Sequence, residues 1–448
     1  MNGDDLARIV AAPPGPKSRK LAAELRAVES RNVTFVSDDF PVFFESGAGA
    51  NLQDVDGNVY VDLSGAFAVA AAGHSDPSVA ESIGDQAARL MHGMGDVHPN
   101  ALKVELAREL CALTPGDGPK RVIFASSGAE AIESAIKTAA VATHKPGVLC
   151  FTGAYHGLTY GALEVTDRSL FRAPFLRQLG RFSTRVPYAY CHRCPIGCTY
   201  PSCGVECLRL VEHALDGPDG ADIGAVIVEP IQARGGDVLP PDDWLAGLRT
   251  LCDSRGRLLI ADEIYTGFGR TGRWFACEHA GVVPDLICVG KGMSSGFPIS
   301  ACVGRADVMD RWPESSGEAI HTSTFLGNPM GCAAALASIA RLRDGNLIER
   351  AHRTGDDLRA MLAGVRERSR GRIAEVRGRG LMWGLECVDA SGEADGALAG
   401  SVVVGALRRG VVMLAAGPAG NVLQLAPPLV ITHEQLRFGV AQIEASMS

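Results

Sequence analysis

Lysine is scarce in this sequence: seven lysines stand against 36 arginines, and six of the seven lie in polar or helical surroundings. No run of about 18 apolar residues occurs, which excludes a membrane-spanning helix. The opening stretch, MNGDDLARIVAAPPGPKSRK, lacks the basic-then-apolar layout of a signal peptide, so a cytoplasmic location is the expectation. There is no excess of positive charge either. A net charge of −8 argues against nucleic acid or an anionic membrane as partner. Internal repeats are absent. Of the 13 cysteines, eight are scattered singly, several within apolar runs (Cys150, Cys288, Cys302), the pattern of buried reduced thiols rather than of a disulfide framework.

What is present is an ordinary globular composition, 46% apolar and 21% charged, over 448 residues, enough for two or three structural units. Asn51–Leu63 reads as a hairpin turning at Asp56-Gly57. From about residue 76, apolar strand-like runs alternate with helical segments: VIFAS, VLCF, AVIVEP, LLIADE, LICVG and SACVG, with a helix near Asp242–Ser254. That alternation predicts an α/β fold with a mostly parallel sheet flanked by helices. After Asn328-Pro329 an Ala-rich helix is followed by a second helix and then paired short strands, which predicts a smaller α+β domain. The expected division is 1–75 as an N-terminal segment contributing to the small domain, 76–334 as the large domain, and 335–448 as the C-terminal small domain. A cysteine-rich loop, 188–207, interrupts the large domain.

Two of the runs end on chemistry. Leu258–Ala261 is a strand of the kind buried on both faces, and it terminates on Asp262. One strand later, Asp285–Val289 leads into Gly290-Lys291-Gly292. Ligands of open α/β sheets bind outside the carboxyl ends of the strands. An acid and a lysine there suit pyridoxal phosphate (PLP). A partly buried amine deprotonates and forms a Schiff base, and a carboxylate keeps the ring nitrogen protonated. Lys291 and Asp262 are therefore the expected catalytic pair. Ser127-Gly128-Ala129, between the strand VIFAS and a helix, places free N–H groups at a helix N-terminus, a setting suited to a phosphate. Tyr155, in Tyr155-His156-Gly157 after the strand VLCF, offers an aromatic face to a ring, and Ile264 would cover the other face.

The stretch DEIYTGFGRTG followed by Lys291 resembles the signature of the class III aminotransferases, PLP enzymes of fold type I, and the likeness runs from about Asn51 to Leu429. The resemblance implies PLP as cofactor and a homodimer with a shared active site. It implies the phosphate held at Ser127, Gly128 and Ala129, with Ala129 in place of a usual hydroxyl residue, and Thr324 of HTSTFLGNP contributed by the partner subunit. Tyr155 and His156 would lie against the cofactor, and Glu229 of VEPIQ near the ring hydroxyl. Tyr265, where Gln is frequent, would bond the cofactor O3′.

The departures bear on substrate. Where many members carry an arginine for the α-carboxylate, in VLRLxPPL, this chain has Gln424. Where QGEGG is usual it has QARGG, with Arg234, and where members acting on 4-aminobutyrate have Arg after Tyr-His-Gly it has Leu158. Arg234 is the expected relocated carboxylate grip, guanidinium being the bidentate partner of that group. The expected reaction is transamination between an amine that can lack an α-carboxylate, such as an amino sugar, aminoglycoside or polyamine, and a keto acid or aldehyde. The rival reaction is racemisation or epimerisation by the same lysine. A non-enzymatic scaffold using the cysteine loop is the remaining alternative. Within that loop Cys191, Cys194, Cys203 and Cys207 are candidate ligands of a structural zinc. That expectation stands below the simpler one of reduced thiols packing a compact loop.

Overall fold

The structure, a computed structural model, describes residues 1–447. Its centre is a seven-stranded sheet. In chain order the strands are β1 (Lys120–Ala125), β2 (Gly147–Phe151), β3 (Ser183–Val186), β4 (Ile223–Val228), β5 (Leu258–Asp262), β6 (Leu286–Val289) and β7 (Ser300–Arg305). In space they run β1-β7-β6-β5-β4-β2-β3. Neighbouring strands pair in parallel except at β7, which is antiparallel to both β1 and β6. The apolar runs of β2, β4 and β6 are buried at every residue, as strands covered by helices on both faces must be.

Two features differ from the sequence reading. Ser183–Val186 was not expected as a strand: STRV is short and polar, and it forms the sheet edge, where one flank meets no partner strand. The SACVG run is a strand, but reversed in direction, because the chain returns from β6 across a short connection instead of a helix.

The hairpin is present as Asn51–Asp54 paired with Val59–Asp62. Val411–Val412 adds to it in parallel, so segments from both ends of the sequence share one sheet. A third, antiparallel sheet joins Ile373–Arg379, Met382–Cys387, Val422–Leu425 and Leu414–Ala416. Among the described residues no helix is long and apolar enough to cross a membrane.

Two buried anchors fix the strand ends that carry the site. Trp244 packs edge-on against Phe151 (5.3 Å between ring centroids) and Tyr188 (5.0 Å), and the Tyr188 hydroxyl donates to the Glu229 carbonyl (2.8 Å) just beyond β4. Truncating such a buried aromatic costs about 3–5 kcal/mol. Arg270 is 1% exposed and donates to the carbonyls of Leu381 (3.1 Å) and Pro427, tying the loop after β5 to the C-terminal sheet.

Candidate active site

The cleft at the carboxyl ends of β4, β5 and β6 has a volume of about 500 Å³ and brings together Tyr155, Glu229, Arg234, Asp262 and Lys291. Asp262 is the last residue of β5. Its Oδ1 accepts from the Ile264 N–H (3.1 Å), and its Oδ2 meets His156 Nδ1 at 2.7 Å. The carboxylate thereby fixes the imidazole proton on Nδ1. His156 is held from behind by its own N–H, which donates to Thr166 Oγ1 (2.9 Å), and its Nε2 is buried without a partner.

Lys291 follows β6 with φ of 41°, in the left-handed region that a lysine seldom occupies. A conformation of that kind costs on the order of 1–3 kcal/mol and clusters at functional positions. Burial pulls its amine below the usual lysine range. Asp262 opposes that shift, Arg234 adds to it, and Glu229 opposes it. The Nζ stands 5.4 Å from the centroid of the Tyr265 ring and 6.0 Å from that of Phe67.

Glu229 accepts from the N–H groups of Tyr155 (2.9 Å) and Ala233 (3.2 Å). Burial pushes its carboxyl up to about 7, with His156 opposing and Asp262 adding. The next residue after Asp262 points elsewhere. Glu263 is fully buried and accepts from the N–H groups of Ala276 (3.0 Å) and Cys277 (2.8 Å) and from the Thr266 hydroxyl. The strand's alternation, ending at Asp262, turns the next side chain away from the cleft, so one acid lines the cleft and the other ties down the turn.

At the other end of the cleft, helix Gly128–Thr143 begins. Ser127 caps it, its Oγ accepting from Glu130 N–H (3.3 Å), and the first helical bond is Ala131 N–H to the Ser127 carbonyl (3.1 Å). The N–H groups of Gly128 and Ala129 lie ahead of that ladder, and both residues line the cleft. A Cβ on Gly128 would stand 2.9 Å from Ile264 Cδ1.

These residues fit PLP. A helix N-terminus offers donors to a phosphate, a buried carboxylate faces the cleft floor, and a lysine of lowered basicity stands over it. The orphaned His156 Nε2 and the room that a Gly128 side chain would fill agree with a built cradle.

The remaining expected residues separate. Leu158 lines the cleft and is exposed. Arg234 lines it too. Gln424 is buried behind the cleft, its amide donating to both Asp237 oxygens (3.0 Å each) and to the Ala233 carbonyl (3.2 Å). Thr324 is exposed on a turn and does not line the cleft of its own chain. Phe67 and Phe171 line the cleft and were not anticipated. Phe67 was the lone aromatic in a run of small residues, a signal available in the sequence. The five cysteines of the 191–207 loop line one small void that shares no lining residue with the cleft.

Comparison with known proteins agrees with this geometry. The class III aminotransferase family profile matches residues 34–447. The chain is 38% identical to a 4-aminobutyrate aminotransferase of Mycobacterium leprae, over 97% of this chain and 96% of that one. It is 35% identical to a leucine/methionine racemase of Thermococcus litoralis, over 91% of each. Among solved structures it superposes on the ornithine aminotransferase of Toxoplasma gondii, described with PLP at its active site, with a TM-score of 0.82 and 31% identity over 96% of this chain and 94% of that one. The architecture is thus that of the fold type I PLP aminotransferases, and the chain belongs to the class III aminotransferase family.

Proposed function

We propose that this chain moves an amino group between an amine that can lack an α-carboxylate, with amino sugars, aminoglycosides and polyamines as the candidate classes, and a 2-oxo acid. The observation that carries this reading is the cleft wall. Leu158 and Gln424 take the places where a resemblance-based reading expects arginines, and Gln424 is already committed to Asp237. Arg234 is left as the guanidinium facing Lys291. A 2-oxo acid brings a carboxylate for it, and an amine without one makes no such demand.

PLP, when bound, supplies a carbonyl carbon open to amines and a ring that draws electrons from the carbon bearing the amine. Lys291 Nζ, a buried amine of lowered basicity, would take the proton from that carbon and redeliver it as general acid/base. Asp262, oriented by His156, holds positive charge at the cleft floor. Gly128 and Ala129 would hold the phosphate, Tyr155 and Ile264 would enclose the ring, and Glu229 and Tyr265 would serve its hydroxyl side, all six lining the cleft. Thr324, exposed and outside the lining of its own cleft, would serve a second copy of the chain, and the working unit in this reading is a homodimer.

A panel of amines and 2-oxo acids, scored for new amine and carbonyl products, tests the assignment. Turnover of amines without an α-carboxylate supports it. Turnover confined to α-amino acids overturns it. The likeness to a racemase keeps isomerisation as a second reading. Solvent deuterium entering recovered substrate, with no carbonyl product, would establish that reaction instead.

A further inference from the structure

The loop 188–207 contains turns but neither helix nor strand. A connection of that length without a ladder needs another source of order. Its five cysteines all line one small void of about 10 Å³. Cys191 is exposed and the other four are half-buried, and Cys198 turns its Sγ to the Ile196 carbonyl (3.8 Å). Its backbone N–H instead donates to Cys194 Sγ (3.3 Å), a contact that favours a thiolate. All five thiols are free.

We propose that Cys191, Cys194, Cys203 and Cys207 form a structural site for a soft divalent cation, Zn²⁺ in the first place, with the Cys198 N–H as an outer donor. The spacing is C-x2-C followed by C-x3-C, an all-thiolate set suits tetrahedral Zn²⁺, and each thiol releases its proton to solvent on binding. Among the described residues the one trio of possible ligand atoms within 4.8 Å of one another is His192, Glu375 and Glu386. Arg377 already neutralises both of those carboxylates, and Arg193 also pairs with Glu386, so that place holds cations of its own. The four sulfurs are spread more widely around their void. Binding of one ion by all four therefore requires side-chain rotation, in a loop that contains neither helix nor strand.

The site has a route to the cleft. Tyr190 and Arg193 (Nε to Oε1, 2.5 Å) both donate to Glu386, which also accepts from Arg377 (2.7 Å). Arg377 in turn donates to the Gly236 carbonyl (2.7 and 3.0 Å), two residues from Arg234. A metal that fixes the loop therefore steadies the turn carrying Arg234. This coupling, unlike the site itself, rests on the reading of Arg234 as the carboxylate grip.

The PLP-loaded protein, purified without chelators, is analysed for metal by plasma mass spectrometry. One equivalent of zinc per chain is expected, released as the thiols are titrated with a mercurial, retained in Cys198→Ser and His192→Ala, and lost in Cys203→Ser. The mercurial titration uses the unaltered chain, so the test survives a variant that fails to fold. Reduced protein that neither carries zinc nor retains it after incubation with ZnCl₂, or peptide mapping that finds these cysteines paired as disulfides in the holoenzyme, overturns the site. For the coupling, a severalfold rise in the 2-oxo acid KM on zinc removal with kcat preserved supports it, and an unchanged KM overturns it.

Discussion

His156 Nδ1 stands 2.7 Å from Asp262 Oδ2, with both side chains buried and the histidine's other nitrogen unpartnered. On the proposed function His156 acts through Asp262 as a positioning residue, and the two should fail differently. Asp262→Asn removes the buried charge, a loss of roughly 3–5 kcal/mol, so kcat/KM should fall on the order of a hundred- to a few-thousand-fold. His156→Asn removes one hydrogen bond to a charged group, roughly 1.5–3 kcal/mol, and should cost about ten- to a hundredfold. It should also shift the pH profile of kcat, a change that merely structural damage would not produce. Steady-state kinetics across pH decides both.

The cofactor-free protein should lose stability as pH rises through neutrality. Burial raises Glu229 and Glu263 from 4.5 to about 7. A group whose folded pKa lies above its unfolded one contributes stability that is fully present below the unfolded value and is lost as pH rises through the folded value. The window is therefore about pH 4.5 to 7, and each group is worth at most about 3 kcal/mol. Thermal melts should show Tm falling across that window, and Glu263→Gln should flatten the slope. A Tm that rises from pH 5 to 8 contradicts this.

Gly157 has φ of +125°, and a Cβ there would lie 2.6 Å from Ala129 Cβ and 2.9 Å from its Cα. Gly157→Ala should destabilise by about 2–4 kcal/mol, combining backbone strain and overpacking, and should weaken cofactor binding because it pushes on Ala129. Gly84, in helix Pro77–Arg89 with open space around it, is the control. Gly84→Ala should stabilise by about 0.5–1 kcal/mol. Melts and cofactor titrations compare the two.

Arg234→Ala should raise the KM for the 2-oxo acid by about ten- to a hundredfold, the worth of a charge-assisted contact of roughly 1.5–3 kcal/mol, while the half-reaction with an amine lacking a carboxylate keeps its rate. Arg234→Lys should recover part of the loss, since a point charge replaces a bidentate fork. Single-turnover measurements of the two halves separate the effects.

What the sequence disclosed was local. Asp262 and Lys291 could be read because each ends a continuous apolar run, and the rule that places ligands beyond strand ends needs no long-range knowledge. The order Ser127-Gly128-Ala129 was legible for the same reason. Glu263 and Arg270, inside the same signature, were not. Their buried roles depend on Ala276, Cys277, Leu381 and Pro427, partners supplied by distant turns and by the C-terminal sheet. Phe171 meets Tyr155 edge-on at 5.8 Å across a fold of the chain that composition does not reveal. The link from Gln424 to Asp237, which puts that amide behind the cleft, likewise joins residues far apart in sequence. The polar strand Ser183–Val186 was hidden because an edge position does not demand an apolar run.

The account stands most directly on Lys291 as the residue joined to PLP. Borohydride reduction of the PLP-loaded protein followed by peptide mass mapping tests it. A pyridoxyl phosphate adduct on Lys291, absent together with turnover in Lys291→Ala, is the predicted result. An adduct on any of the other six lysines, or full turnover in Lys291→Ala, contradicts it.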